Sequence, residues 1–268
     1  MGAEGMPEFL VNGLRTNCQV LAGAGSPTES VVFVHGMGTD SLASFHLTLA
    51  APVSAAGVDV ISYDLRGHGK TDRPPSGYTI ADFVTDLDDL LGALDVRRPV
   101  HLVGNSFGGT IAYGYAAAHP RKVRSLVCIE AEPPTEPWAD KMRRTLAGTV
   151  EFLSAESSYE WIEANYSAHH RRLARMAAER ITSTTMAEEV PLGPLLSLEE
   201  VRSIDCPVLS ILGRHGYQSD DLDALTSILP RGELFVFDDE GHSVLVERHR
   251  QVRTILLDWI ARHSEDAA

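Results

Sequence analysis

Two residues in this chain have the side chains and the neighbours that nucleophilic chemistry needs, Ser106 and His242. Ser106 sits in Leu102-Val-Gly104-Asn-Ser106-Phe-Gly108-Gly109, where an apolar β-branched run gives way to a helical one. This is a G-x-S-x-G turn, which holds the serine on a sharp strand-to-helix bend with its hydroxyl exposed. Glycines are needed at 104 and 108 because the strand and helix backbones pass too close for side chains there. The helix that follows offers free N–H groups and its positive dipole end to an anion forming at the serine. A serine hydroxyl is not nucleophilic at its own pKa and needs an adjacent base. Of eleven histidines, most read as structural: His68 in a loop, His119 before Pro120, His169 and His170 in a helical stretch. His242 follows Phe235-Val-Phe-Asp-Asp-Glu-Gly241, a strand and a tight glycine turn, and precedes the last helix. That context sets an imidazole at a strand end, where Ser106 also points. His215, in the loop after Leu212, is the rival base.

Such a pair needs a frame that gathers strand ends. Val31 to His35, Val58 to Tyr63, Pro99 to Gly104, Val123 to Ile129, Pro207 to Leu212 and Glu233 to Phe237 each read as a strand buried on both faces. Between them, Leu42 to Ala56, Ile80 to Leu94, Ser106 to His119, Ser219 to Leu229 and Ser243 to Arg262 read as helices. In the second helix Phe83, Leu87, Leu90, Leu91 and Leu94 form the apolar stripe, with Asp82, Asp86, Asp88 and Asp89 mostly off it. Strand alternating with helix predicts a parallel sheet covered on both faces. One interval breaks the alternation. From about Glu132 to Glu200 the composition is helical, entered through Pro133-Pro134-Thr-Glu-Pro137 and left near Pro191-Leu-Gly-Pro194. It is too long for one crossover. We read residues 132–200 as a helical cap inserted into a core of 1–131 and 201–268, as against plain covering helices of the sheet.

A chain of 268 residues that is 44% hydrophobic suits one α/β domain carrying such an insert. Its longest apolar runs fall far short of the ~20 residues of a membrane helix. No basic start followed by an apolar run marks a signal peptide. Cys18, Cys128 and Cys206 form no CxxC pair, which argues against a disulfide framework or zinc site and for a reducing cytoplasm. The net charge of −14 disfavours nucleic acid and anionic membrane as partners. No metal motif or nucleotide loop is present, so no cofactor is expected.

His35-Gly36, Asp64-Leu-Arg-Gly-His-Gly69, the turn at Ser106 and Gly241-His242 together resemble the α/β-hydrolase superfamily, over essentially the whole chain except the cap. The resemblance implies an eight-stranded, mostly parallel sheet with the site at its C-terminal strand ends. It also implies an oxyanion hole from the backbone N–H groups of Met37 and Phe107. Related dehalogenases and epoxide hydrolases carry aspartate at the turn. A serine suits acyl transfer instead.

In most such relatives the strand ending at Leu212 is followed by Gly-x-x-Asp, whose carboxylate completes a triad. Here the text is Gly213-Arg-His-Gly216. A triad still needs an anion to orient and neutralise the imidazolium. The other strand end facing the base is followed by Glu130-Ala-Glu132. Ile129-Glu130-Ala131…Trp138-Ala-Asp140 resembles the stretch of some haloalkane dehalogenases that carries their acid, an arrangement similar to that of polyether-releasing thioesterases and certain lactonases. Glu130 is therefore the expected acid, with Asp220, Asp221 and Glu132 as alternatives. The expected reaction is hydrolysis of a carboxylic ester, thioester or lactone through an acyl-enzyme. The alternatives are a C–C hydrolase of ring-cleavage products, whose turn the Asn105-Ser106-Phe107-Gly108-Gly109 wording resembles, and a non-catalytic receptor on the same fold. The substrate is expected to be a small molecule with an apolar acyl group, free or carrier-bound, met in the cap by Trp138 and Trp161. Lys141, Arg143 and Arg144 either hold an acidic substrate group or form a solvated helix face.

Overall fold

The structure, a computed structural model, describes residues 8–25, 29–216 and 227–264. One eight-stranded sheet runs through the molecule in the order β1-β2-β4-β3-β5-β6-β7-β8. Its strands are β1 (Glu8–Val11), β2 (Leu14–Leu21), β3 (Ser30–Val34), β4 (Asp59–Tyr63), β5 (Val100–Asn105), β6 (Val123–Ile129), β7 (Val208–Gly213) and β8 (Gly232–Phe237). β1 and β2 pair antiparallel, β2 joins β4 antiparallel, and all other pairs are parallel.

The sheet follows from side-chain alternation. Val32 and Val34 enter one apolar layer, while Val31 and Phe33 enter the other. Successive strand residues point to opposite faces, so an unbroken apolar run is what a strand covered on both sides requires. The first layer is closed by α3 (Ile80–Ala93) and α4 (Phe107–Ala118). The second is closed by α1 (Ala43–Phe45), α2 (Ala51–Ala55) and the closing helix His249–His263. From that helix, buried Trp259 donates its indole N–H to Ser125 Oγ at 2.9 Å.

Four expectations need correction. β8 is not buried on both faces: it is the last strand in the order, and Phe235 is 40% exposed. The helix expected over Leu42 to Ala56 is broken by a π turn, His46–Ala50. Pro52 follows it and has no N–H to donate back into the helical ladder. The last helix is two, Val244–Glu247 and His249–His263, separated at Arg248. Asp86 is buried, because its carboxylate takes Arg66 Nε at 2.6 Å beneath the turn after β4. The helix expected over Ser219 to Leu229 lies largely outside the described residues.

Between β6 and β7 the chain forms a cap-like helical insertion: α5 (Glu136–Ser154), α6 (Glu156–Asn165), α7 (Ala168–Thr182), α8 (Met186–Glu189) and α9 (Leu198–Arg202). Its first residues are tied to the core where Thr110 Oγ1 donates to the Glu132 carbonyl at 2.8 Å. Among the described residues no helix is long and apolar enough to cross a membrane.

Candidate active site

Ser106 stands between β5 and α4 at φ 51°, ψ −121°, a conformation that L-residues rarely adopt. Sterics and hydrogen bonds hold it there. A Cβ on Gly104 would come within 2.4 Å of Gly109 Cα, and one on Gly108 within 2.0 Å of the Val34 carbonyl oxygen. Strand and helix meet with no space for side chains, so the bend cannot relax. The Ser106 N–H donates to the Ile129 carbonyl at 2.8 Å, which ties the turn to the end of β6.

The ring of His242 lies between two partners. Its Nε2 is 3.0 Å from Ser106 Oγ, and its Nδ1 is 3.0 Å from Glu130 Oε2. With Nδ1–H donating to the carboxylate, Nε2 is left to accept the serine proton. Glu130 is 3% exposed and has φ 54°. Its N–H continues the sheet ladder to the Ile211 carbonyl at 2.9 Å, and its Oε1 accepts the Gly213 N–H. A buried carboxylate is costly unless its oxygens are occupied, and both are occupied here. The side chain thus crosses from the end of β6 to the end of β7. Of the alternative acids, Glu132 pairs with Lys141 Nζ. Asp220 and Asp221 lie outside the described residues. His215, the rival base, follows β7 and donates its backbone N–H to the Glu240 carbonyl at 2.9 Å, bracing the turn that leads to His242.

The turn after β3 lies against the serine. A Cβ on Gly36 would be 3.4 Å from Ser106 Cβ. The Gly36 N–H donates to Asp40 Oδ2 at 2.7 Å, and its carbonyl accepts from His35 Nδ1 at 2.7 Å. His35 is fully buried and accepts the Leu65 N–H at its Nε2, and burial lowers its pKa. Met37 follows in this turn, and Phe107 is the first residue of α4, a position whose N–H has no intrahelical acceptor.

A cavity of ≈140 Å³ opens on this centre. Ser106, His242, Trp138, Lys141, Met142 and Thr145 are among its lining residues. Trp138, 3% exposed, covers it from α5. Trp161 does not line it. That residue is 52% exposed and packs edge-on against Phe152 and Tyr166 on another part of the cap. The aromatic count of the cap does not separate these two tryptophans, whereas position does: Trp138 falls in the first turn of α5, just after the chain leaves β6. Of Lys141, Arg143 and Arg144, Lys141 reaches the cavity, while Arg143 is taken up by Glu136 and Asp140. A buried cap arginine, Arg180, carries no sequence signal, because it stands among exposed charged residues of a polar helix. Among the described residues no group of three or more His, Cys, Asp or Glu could hold a metal ion.

Residues 29–160 match the family model described as alpha/beta hydrolase fold. A cis-3-alkyl-4-alkyloxetan-2-one decarboxylase of Shewanella oneidensis is 27% identical over 84% of this chain and 80% of its own. A 2-hydroxy-6-oxo-2,4-heptadienoate hydrolase of Pseudomonas putida is 29% identical over 94% of this chain and 95% of its own. Among solved structures, an enol-lactonase from Burkholderia xenovorans superposes with a TM-score of 0.73 over 95% of this chain and 100% of its own, at 21% identity.

Proposed function

The chain has the alpha/beta-hydrolase fold, and from that premise we propose a serine hydrolase that cleaves a carboxylic ester, thioester or lactone through an acyl-enzyme. The observation that carries this reading is the His242 ring within 3.0 Å of both Ser106 Oγ and Glu130 Oε2. In this scheme Ser106 Oγ attacks the carbonyl carbon as His242 Nε2 takes its proton. The carbonyl oxygen gathers charge against the N–H groups of Met37 and Phe107. Glu130 holds the Nδ1–H tautomer and balances the imidazolium. The proton passes to the leaving oxygen or sulfur as that bond breaks, and a water deacylates the serine by the same route in reverse. The scheme uses no metal or cofactor.

Residues 132–200 act as a lid over this centre, and Trp138 bounds the acyl site. An apolar cavity of about 150 Å³ inside a protein is large enough to hold benzene. A pocket of ≈140 Å³ therefore suits a short acyl group. A second reading, C–C hydrolysis of a ring-cleavage product, is favoured by the Asn105-Ser106-Phe107 wording and by the Pseudomonas putida relative named a 2-hydroxy-6-oxo-2,4-heptadienoate hydrolase. A panel of short and long esters, thioesters, lactones and a vinylogous ring-cleavage product separates the two. Ser106→Ala should lower turnover by about 10⁴-fold or more and abolish fluorophosphonate labelling, with the fold intact by circular dichroism. Retention of a tenth of the rate would remove Ser106 from the scheme.

A further inference from the structure

We propose that Arg180 of the cap is a positioning residue that holds the turn carrying the Met37 N–H. The proposal rests on the oxyanion role given to that turn above. Most charged residues of α7 face solvent, but Arg180 is 4% exposed and points into the core. Its Nε donates to the Gly67 carbonyl at 2.5 Å, and its Nη1 donates to the Gly38 carbonyl. One planar guanidinium therefore joins the turn after β3 to the turn after β4.

The same residue of the first turn is held from its other side. The Gly38 N–H donates to His68 Nε2 at 3.2 Å, and His68 Nδ1–H donates to the Arg66 carbonyl at 2.9 Å. Gly38 has φ 81° and no side chain to pack, so the bonds to its N–H and carbonyl restrain a residue with unusual backbone freedom. On the other side of Met37, Gly36 is fixed by Asp40 and His35. Met37 lies between two pinned residues, and one of the pins comes from the cap. Preorganised donors stabilise an oxyanion because they need not reorient as charge develops. Arg180 is not among the residues lining the cavity, and its guanidinium is bonded to the backbone carbonyls of the two turns.

The test uses the full chain with Arg180→Gln and Arg180→Lys, read by turnover of p-nitrophenyl acetate and by hydrogen–deuterium exchange of the peptide covering 36–38. In Arg180→Gln, kcat should fall by roughly 10- to 100-fold, as for loss of part of an oxyanion hole, with KM changed less than about twofold. Exchange at 36–38 should rise. Arg180→Lys keeps the charge and one donor direction and should recover part of both losses. If Arg180→Gln does not fold, the kcat, KM and exchange of Arg180→Lys decide alone, with a smaller shift in the same direction. Unchanged kcat and unchanged exchange would overturn the proposal. So would a raised KM at unchanged kcat, which would make Arg180 a substrate contact. If the wild-type protein turns over no ester, the hydrolase reading fails, while the exchange experiment still decides whether Arg180 holds the turn.

Discussion

Ser106 and Glu130 both have positive φ, 51° and 54°, at the ends of neighbouring strands, a region that costs a non-glycine residue on the order of 1–3 kcal/mol. In each case the backbone turns out of the sheet and the side chain is thrown toward the one imidazole between them. Glu130→Gln keeps that shape and removes the charge, so kcat should drop by about 10³- to 10⁴-fold. Steady-state kinetics on the best ester of the panel checks this, and a loss under tenfold would take the triad acid away from Glu130. Asp220→Asn and Asp221→Asn should each cost much less. At this scale the sequence is legible in part. The turn glycines and the missing carboxylate at 213–216 both stand in the text, and they point to Ser106 and the end of β6. That both Glu130 oxygens are occupied, one by a strand-end N–H, depends on how β6 and β7 lie side by side, which no local pattern encodes.

At the scale of elements, the central strands can be read from β-branched runs because burial on both faces leaves no room for alternation. The same rule fails at β8, where an edge position lets apolar residues stand half exposed. The hairpin of β1 and β2 has its own signal, Asn12-Gly13 with φ of 47° and 77°, the pair that a tight two-residue turn demands. The two cap tryptophans give a test. Trp138→Ala should widen the accepted acyl group and shift kcat/KM toward longer esters by roughly tenfold, since it opens a wall of the cavity. Trp161→Ala should leave the acyl preference unchanged. Equal effects of the two substitutions across an ester series would show that the cap sets no acyl length.

For the whole molecule, several buried histidines couple folding to pH. Burial is the first cause that lowers the pKa of His35, His68 and His101, the last to about 3. A histidine with a depressed folded pKa stays neutral in the native state while the unfolded chain takes up a proton below about 6.5. Its stabilising contribution is present above that value and is lost as pH falls toward the folded pKa. Each such group adds a slope of up to about 1.4 kcal/mol per pH unit in that window. Urea melts at pH 7.5 and 5.0 should therefore give a lower midpoint in acid, and His101→Asn should flatten the difference. Equal midpoints for the wild type would contradict this. The join between β6 and the helical insertion has a separate consequence, for grafting. Glu130 is the first residue past β6, so a foreign cap spliced in after Ala131 would keep the carboxylate that pairs with His242. One spliced in two residues earlier, directly after Ile129, would discard it along with the old cap. In this chain the seam of a chimera is fixed by chemistry before it is fixed by shape.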